Sequence, residues 1–291
     1  MKKISAYQLG GTLFVPATHK YLDAIVEGKK FTDLYSMVID CEDGIEENSL
    51  DEVLEKIKKL LPQLTPSKLL RFIRPANVKV LQQILEFEGS AKIDGFVLPK
   101  FDEDYEAYLQ VVEKHDFNFM PSIEGKALFD VSELQKLRHE LLPYKEKIIC
   151  VRFGAEDMLK QLSIQRVEGK SLSEMLVPSM VMANLLSTFK PFGFELSAPV
   201  FKYFKDEQGF KDEVRYELEN GFVSKTIIHP NQSLWLKEIY KVDDKELQKA
   251  EAILKTLSVA NFEGEMLEGK TQKEWAENIL LRNKIYNFKT T

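Results

Sequence analysis

Eight short apolar runs, each followed by a segment of helical periodicity, constrain the fold of this chain more than any other feature. Each run is apolar on both faces, as a strand must be when helices cover one side and packed side chains fill the other. Eight parallel strands that alternate with helices form the (β/α)8 TIM barrel of the α/β class. The sequence therefore predicts a TIM barrel over residues 1–235. We expect its strands at residues 12–17, 34–45, 67–77, 94–101, 117–125, 147–153, 193–201 and 224–232.

An open, doubly wound sheet shows the same alternation, but the first strand-to-helix turn argues against it. That turn reads VPATHK and lacks the G-x-G-x-x-G pattern of a dinucleotide-binding half. The next segment, residues 19–31, predicts the first helix, and the long sixth connection, about residues 156–193, predicts two helices. Two more helical segments, joined by the polar linker VANFEGEMLEGK, follow the eighth strand. They predict a C-terminal helical arm over residues 236–291, packed on the barrel or on a neighbouring subunit.

The charge balance argues against several classes of partner. With 40 basic and 46 acidic side chains the net charge is -6, and the chain has no dense Lys/Arg run of the kind that nucleic acid or an anionic membrane requires. No apolar stretch approaches the ~20 residues of a membrane span, and the N-terminal residues lack the apolar core of a signal peptide. Cys41 and Cys150 lie in apolar runs, which favours core thiols over a disulfide or a zinc site. We therefore expect a cytoplasmic protein with a small-molecule substrate.

The sixth strand, KIICVRF, runs into a turn at Gly154 and then into a helix whose first turn carries Glu156 and Asp157. Helix-end amides point outward at such a corner, so it can hold a metal ion and an anionic substrate together. In a TIM barrel the active site forms at the carboxyl ends of the strands. The other strand ends carry polar side chains as well, namely Asp40, Glu42, Asp43, Arg74, Lys100, Glu124 and His229.

The strand-end acids form three clusters with only Arg74 and Lys100 as counter-charges, so they would repel one another unless a cation lay between them. Hard divalent ions prefer oxygen ligands, which indicates Mg2+, with Mn2+ as an alternative. A Mg2+ ion takes one or two protein carboxylates, which suits Glu124 and Asp157 at adjacent strand ends. Such an ion can chelate a 2-keto acid and stabilise an enolate, while the Arg74 fork binds the substrate carboxylate.

Structural roles compete with these functional ones. A single Asp or Glu after a strand is more often a helix cap or a solvated loop charge than a ligand, although charged groups at most of the strand ends favour a site. Lys100 can equally be an ion-pair partner for the acids, and His229, which precedes Pro230, can hold the turn. Arg71 points to the strand face opposite Arg74, against the helices.

The order of seven motifs resembles that of the HpcH/HpaI aldolase and citrate lyase beta-subunit family. The motifs are LFVPA, VIDCEDGI, the strand that ends in Arg74, VLPK, SIEG, FGAED and GFVSKTIIHPNQ, and the most specific are FGAED and IHPNQ. The resemblance spans about residues 12–285 and points to a divergent branch of carbon–carbon bond lyases. It implies a TIM barrel, a bound Mg2+ ion, and the making or breaking of carbon–carbon bonds through a metal-stabilised enolate.

The resemblance also implies roles for individual residues. Glu124 and Asp157 would bind the metal ion. Arg74 would bind the substrate carboxylate and stabilise the enolate, as a catalytic residue. Glu42 and Asp43 would lie behind the metal ligands as supporting acids.

The substrate would face the amides near Gly154 and Ala155, with Lys100 as a further candidate contact. In related lyases an Asp from the C-terminal segment of a neighbouring subunit covers the site, and Glu268 is the corresponding acid here. The resemblance thus implies a homo-oligomer, a trimer or a multiple of it, with Glu268 as a catalytic residue. Family members that use acyl-CoA carry a Lys and an Ala-Arg pair in the second helix, which reads SLDEVLEKIKKLL here, so a CoA thioester substrate is doubtful.

The resulting prediction is a Mg2+-dependent carbon–carbon lyase or aldolase for a carboxylate-bearing keto or hydroxy acid. Two alternatives stay open. One is an acyl thioester hydrolase on the same barrel, in which the metal ion would stabilise an acyl oxyanion. The other is a catalytically silent metabolite-binding protein that kept the barrel and the ion.

Overall fold

The computed structural model describes residues 2–43, 45 and 49–287, and it shows a barrel of eight parallel strands. The strands are β1 Gly11–Pro16, β2 Ser36–Asp40, β3 Leu70–Arg74, β4 Gly95–Leu98, β5 Phe119–Ile123, β6 Arg152–Phe153, β7 Ser197–Ala198 and β8 Ser224–Ile227. Strands β1 to β6 pair in sequence order, and β8 pairs with both β1 and β7. A parallel bridge between Val151 and Leu196 joins the two edges and closes the sheet. The predicted TIM barrel is confirmed.

The helices follow the strands along the chain in the predicted order. In the described part of the chain they are α1 Leu22–Val26, α2 Leu50–Leu60, α3 Val78–Leu85, α4 Phe101–Lys114, α5 Val131–Leu141, α6 Ala155–Gln161, α7 Leu176–Phe189, α8 Glu207–Glu219, α9 Pro230–Tyr240, α10 Asp244–Lys255 and α11 Lys273–Tyr286. The prediction of a first helix over residues 19–31 is wrong at both ends. Gly28 and Phe31 take left-handed backbone angles, with φ of 69° and 58°, so the chain leaves the helix after one turn.

Helices α6 and α7 confirm the prediction of two helices in the sixth connection. Every residue of β2 and β5 is buried, as expected for strands with helices on one side and the barrel interior on the other. Strands β6 and β7 contain only two residues each, fewer than the predicted runs. Other residues of the predicted runs pair with neighbouring strands through isolated bridges, such as the one between Phe119 and Ile148, and do not form a continuous ladder.

The chain divides into two compact units, Met1–Trp235 and Leu236–Thr291. In the second unit α10 and α11 enclose an apolar core with an antiparallel hairpin of β9 Val259–Phe262 and β10 Glu265–Glu268. The polar linker predicted between the helices thus forms this hairpin, and all but one of its strand residues are exposed or partly exposed. Glu263 and Gly264 have φ of 49° and 87°, the left-handed pair that forms a tight hairpin turn, and Leu267 of β10 is buried in the core. No helix in the described residues is long and apolar enough to span a membrane.

Candidate active site

A cavity of about 440 Å³ lies at the carboxyl ends of the barrel strands, where the fold places active sites. Most of the predicted site residues line it, namely Asp43, Arg74, Glu124, Gly154, Ala155 and Asp157. Tertiary folding thus brings together side chains that follow four different strands. The volume is within the usual range of small-molecule sites.

Arg74, at the end of β3, is bound by acids of the protein itself. Its Nε and Nη2 donate to the two carboxylate oxygens of Asp40, each at 2.7 Å. Its Nη1 lies 2.8 Å from Oε2 of Glu42, and its Nη2 also donates to Asp43 at 3.2 Å. Burial alone would lower the pKa of Arg74, but these three acids raise it above its usual range. Arg74 is therefore a fixed cation with partners before any ligand arrives.

Glu42 and Lys100 form the next layer of this ion-pair network. Lys100 donates to Oε1 of Glu42, and burial raises the pKa of Glu42 although both cations oppose the shift. Lys100 does not line the main cavity. It lines a neighbouring cavity of about 510 Å³ to which Glu124 and Asp157 also contribute. The predicted contact of Lys100 with the substrate stays a prediction, while its ion pair is observed.

Glu124, just after β5, is almost fully buried at 5% exposure. Burial raises its pKa to about 7, and the negative charges of Glu42 and Asp157 add to the shift. Within the described part of the chain, Oε2 of Glu124 is buried and has no hydrogen-bond partner. A buried carboxylate oxygen without a donor is a ligand position that a cation would satisfy.

Gly154 separates the two predicted metal ligands. A Cβ atom at this position would lie 2.8 Å from Cγ of Glu124 and 3.0 Å from Oδ2 of Asp157, so only glycine lets both carboxylates approach. In the described residues no group of three or more His, Cys, Asp or Glu side chains is arranged to hold a metal ion. A pair of carboxylates is nevertheless the usual protein contribution to a Mg2+ site, because water and substrate oxygens complete the octahedron.

Asp102, in the first turn of α4, is a positioning residue that the sequence analysis missed. Its Oδ1 accepts the backbone N–H of Glu124 at 2.9 Å, and its Oδ2 accepts that of Gly125 at 2.9 Å. From the other side, Nε2 of Gln161 donates to the carbonyl of Glu124 at 2.7 Å. No sequence signal identified Asp102, because an acid in the first turn of a helix has an ordinary electrostatic role there.

Arg152, in β6, is a second arginine of the cavity that the sequence analysis missed. It is 3% exposed, and its Nη2 donates to Oγ1 of Thr226 at 2.6 Å. The guanidinium carbons of Arg152 and Arg74 lie 5.3 and 5.2 Å from the centre of the Phe14 ring. A sequence signal did exist, since Arg152 is the one charged residue in the apolar run IICVRF.

The comparison with protein families agrees with this architecture. The family model described as C-C bond lyase of the TIM-barrel fold matches residues 3–288. The chain belongs to this family. Membership confirms the predicted enzyme class, a carbon–carbon lyase, and the predicted relation to citrate lyase beta subunits.

Individual relatives of this C-C bond lyase are distant. The mitochondrial citramalyl-CoA lyase of Mus musculus is 25% identical over 270 residues, which cover 84% of this chain and 77% of the mouse protein. The citrate lyase subunit beta of Escherichia coli K12 is 26% identical over 139 residues, 45% of this chain and 44% of that protein. The crystal structure of CitE from Mycobacterium tuberculosis, in complex with magnesium, acetoacetate and coenzyme A, gives a TM-score of 0.69 at 21% identity and covers 96% of this chain and 99% of that chain.

Two other polar residues considered above, His229 and Arg71, make contacts that stabilise the local fold of this C-C bond lyase. Nδ1 of His229 accepts the backbone N–H of Asn231 at 3.2 Å, and its ring stacks on Phe204 at 5.3 Å, so His229 holds the turn after β8. Nη2 of Arg71 donates to the carbonyl of Thr65 at 2.9 Å, away from the cavity. Both observations agree with the structural roles considered for these residues.

Proposed function

We propose that the protein is a Mg2+-dependent carbon–carbon lyase that acts on a carboxylate-bearing keto or hydroxy acid. The observation that carries the proposal is the approach of Glu124 and Asp157 to Gly154 from two sides, with one buried oxygen of Glu124 unpartnered. Like charges in such a place favour a cation, and the oxygen ligands suit Mg2+. When bound, the ion would stabilise the negative charge that develops as a carbon–carbon bond beside a carbonyl breaks.

Two relatives support this assignment by what they bind or act on. CitE of Mycobacterium tuberculosis forms a complex with magnesium and acetoacetate, a keto acid. The mouse relative is named for the cleavage of citramalyl-CoA. We do not expect coenzyme A as part of the substrate, because α2, within SLDEVLEKIKKLL, has no Ala-Arg pair of the kind that CoA-using family members carry.

Arg74 would bind a carboxylate of the substrate at the cavity wall. Asp40 already occupies two of its donors, so the arginine is fixed in orientation before the substrate binds. Asp43, whose side chain is 66% exposed, is the partner that a substrate carboxylate can replace at least cost. Glu42 and Lys100 hold Arg74 from behind, and the backbone at Gly154 borders the same space.

Calorimetry with Mg2+ tests the metal site. Asp157→Ala should lower the affinity for Mg2+ by more than about tenfold, which corresponds to about 1.4 kcal/mol of binding free energy. The matched control is Glu156→Gln, because Glu156 is the adjacent acid but is exposed and lies 3.6 Å from Lys202. The control should keep most of the affinity. Unchanged Mg2+ binding by Asp157→Ala would contradict the assignment.

Isotope exchange separates the lyase from the thioester hydrolase. Enzyme with Mg2+ and a 2-keto acid in deuterated water should catalyse exchange of the hydrogens beside the carbonyl, because a lyase must stabilise the enolate. A hydrolase would instead release thiol from an acyl thioester without exchange. No exchange with any 2-keto acid that binds would exclude the lyase.

A further inference from the structure

We propose that Arg152 binds a second carboxylate of the substrate, one that the metal ion does not hold. The substrate class would then be keto or hydroxy acids with two carboxylates. This inference rests on the proposed function, because it assumes that the cavity at β6 receives such an acid. It assigns a specificity role to a residue that the motifs of the family resemblance do not include.

The partners of Arg152 among the described residues are neutral. Thr226 Oγ1 accepts from its Nη2 at 2.6 Å, Met120 Sδ lies 3.6 Å from its Nη1, and the buried Cys150 thiol is close by. Burial raises the pKa of Cys150 to about 11, so this thiol carries no charge at neutral pH. Among the residues that the structure describes, no Asp or Glu forms an ion pair with Arg152. A guanidinium with five donors is therefore incompletely satisfied at a position exposed only to the cavity.

Most other buried cations of the described residues are paired with carboxylates, and the exception, Arg71, donates to the carbonyl of Thr65 with the negative charge of Asp94 nearby. Arg166 pairs with Glu213, and Lys225 pairs with both Glu213 and Glu217. Burial of a charge is costly unless a counter-charge accompanies it, so these pairs are the expected arrangement. The missing counter-charge of Arg152 is explained if a ligand supplies it.

Three acids of the cavity wall, Asp40, Asp43 and Glu156, form ion pairs with cations other than Arg152. Glu124 and Asp157 would balance a divalent ion, and Arg74 is already balanced by its three acids. Arg152 is the remaining cation of the cavity wall. A carboxylate of the substrate would give it the bidentate partner that an arginine fork prefers.

The position of Arg152 suits contact with a ligand that also reaches the metal site. It precedes Gly154 by two residues, and strand alternation directs it to the side of the chain on which Glu124 and Asp157 approach that glycine. Thr226 of β8 fixes the guanidinium from one side, and Phe14 of β1 lies beside it. The group is thus oriented before a ligand binds, which lowers the entropy cost of binding.

The test compares acids that differ by one carboxylate. Pyruvate and oxaloacetate form one pair, and 2-oxobutyrate and 2-oxoglutarate form a second pair of greater length. Affinities are measured by calorimetry with Mg2+ present, using fresh oxaloacetate, for the parent protein and Arg152→Met, which removes the charge and keeps much of the apolar stem. Arg215→Met is the matched control, because Arg215 is half exposed on α8. Thermal unfolding checks that each variant folds.

In at least one of the two pairs of acids, we expect the parent protein to bind the dicarboxylate more than about tenfold more tightly than the monocarboxylate. A charge-assisted pair in a buried site should allow a difference of this size. Arg152→Met should remove this preference, while the variant still binds Mg2+ and the monocarboxylates. Arg215→Met should keep the preference. If Arg152→Met does not fold, Arg152→Lys, which keeps the charge but loses the fork, should show a reduced preference.

Two results would overturn the inference. A parent protein that binds Mg2+ and the monocarboxylates but shows no preference for either dicarboxylate would refute the role of Arg152 and leave the proposed function intact. A preference that persists in Arg152→Met, or in Arg152→Lys at full strength, would do the same. Absence of Mg2+ binding and of all keto-acid binding would instead refute the proposed function, and the inference with it.

Discussion

Glu124 would link proton binding to metal binding through a single side chain if it binds the metal ion as proposed. Its pKa is raised from 4.5 to about 7 by burial, so between these pH values the folded protein holds a proton that the unfolded chain has released. A group whose pKa is higher in the folded state than in the unfolded state stabilises the fold fully at pH values below its unfolded-state pKa. This stabilisation is lost as the pH rises through its folded-state pKa. A metal ion requires the charged carboxylate, so Mg2+ competes with this proton.

We expect the metal-free protein to lose stability relative to Glu124→Gln between about pH 5 and about pH 8, by on the order of 2 kcal/mol. The reason is that Gln stays neutral, while Glu124 must become a buried anion. The Mg2+ affinity of the parent protein should rise over the same interval and level off above about pH 7. Denaturant unfolding in chelator and calorimetry at each pH measure the two effects. A stability difference that stays constant with pH would show that Glu124 titrates normally.

The turn between β4 and α4 positions the loop after β5 that carries Glu124, a proposed metal ligand. Lys100 begins this turn with a left-handed backbone, φ of 45°, and α4 then starts at Phe101. This start places Asp102 against the amides of Glu124 and Gly125. Helix α6 contributes Gln161 to the same loop from the other side. Two helices from different parts of the chain thus fix the backbone of one ligand.

Asp102→Asn should weaken Mg2+ binding by about tenfold, as loss of a group that orients a metal ligand commonly does. The amide keeps the size of the side chain but has a single acceptor oxygen for the two N–H groups. Calorimetry gives the affinity, and thermal unfolding reports whether the barrel stays intact. Asp104→Asn, an exposed change in the same helix turn, serves as the control. Equal affinities of the two variants would mean that the loop holds its position without Asp102.

For the whole protein, the proposed reaction needs a general acid or base besides Glu124 and Asp157, the proposed metal ligands. His229 is held in its turn by Asn231 and Phe204, and Arg74 is held by its acids. In the second unit, Oε2 of Glu268 accepts a hydrogen bond from Thr271. We propose a homo-oligomer, a trimer or a multiple of it, in which Glu268 reaches the active site of an adjacent chain.

Mixing inactive Arg74→Ala and Glu268→Ala subunits tests the shared site. If the site combines residues of two chains, random exchange should restore about a quarter of the parent activity, because that share of the interfaces carries both intact residues. Each variant alone should stay inactive under the same conditions. Sedimentation of the protein as a monomer, or no recovery after confirmed subunit exchange, would rule out a shared site.

The sequence by itself determined the barrel and the class of chemistry. Both depend on local patterns, because alternation of apolar strands with helices is visible in windows of ten to twenty residues and the strand ends carry the polar groups. The FGAED stretch likewise placed Gly154 and Asp157 at the same strand-to-helix corner. Helix boundaries were less predictable: residues 19–31 look helical, but two left-handed residues end the helix early.

Only the tertiary structure decided which charges are paired. Arg74 was expected to bind the substrate carboxylate, and the structure shows that β2 places Asp40 directly against its fork, because the parallel register sets Asp40 opposite Arg74. Arg152 looked like an ordinary strand residue, yet the closed barrel surrounds it with neutral groups and leaves it facing the cavity. The physical reason is that burial and ion pairing depend on strands and helices distant in sequence, whereas periodicity reports only on neighbours along the chain.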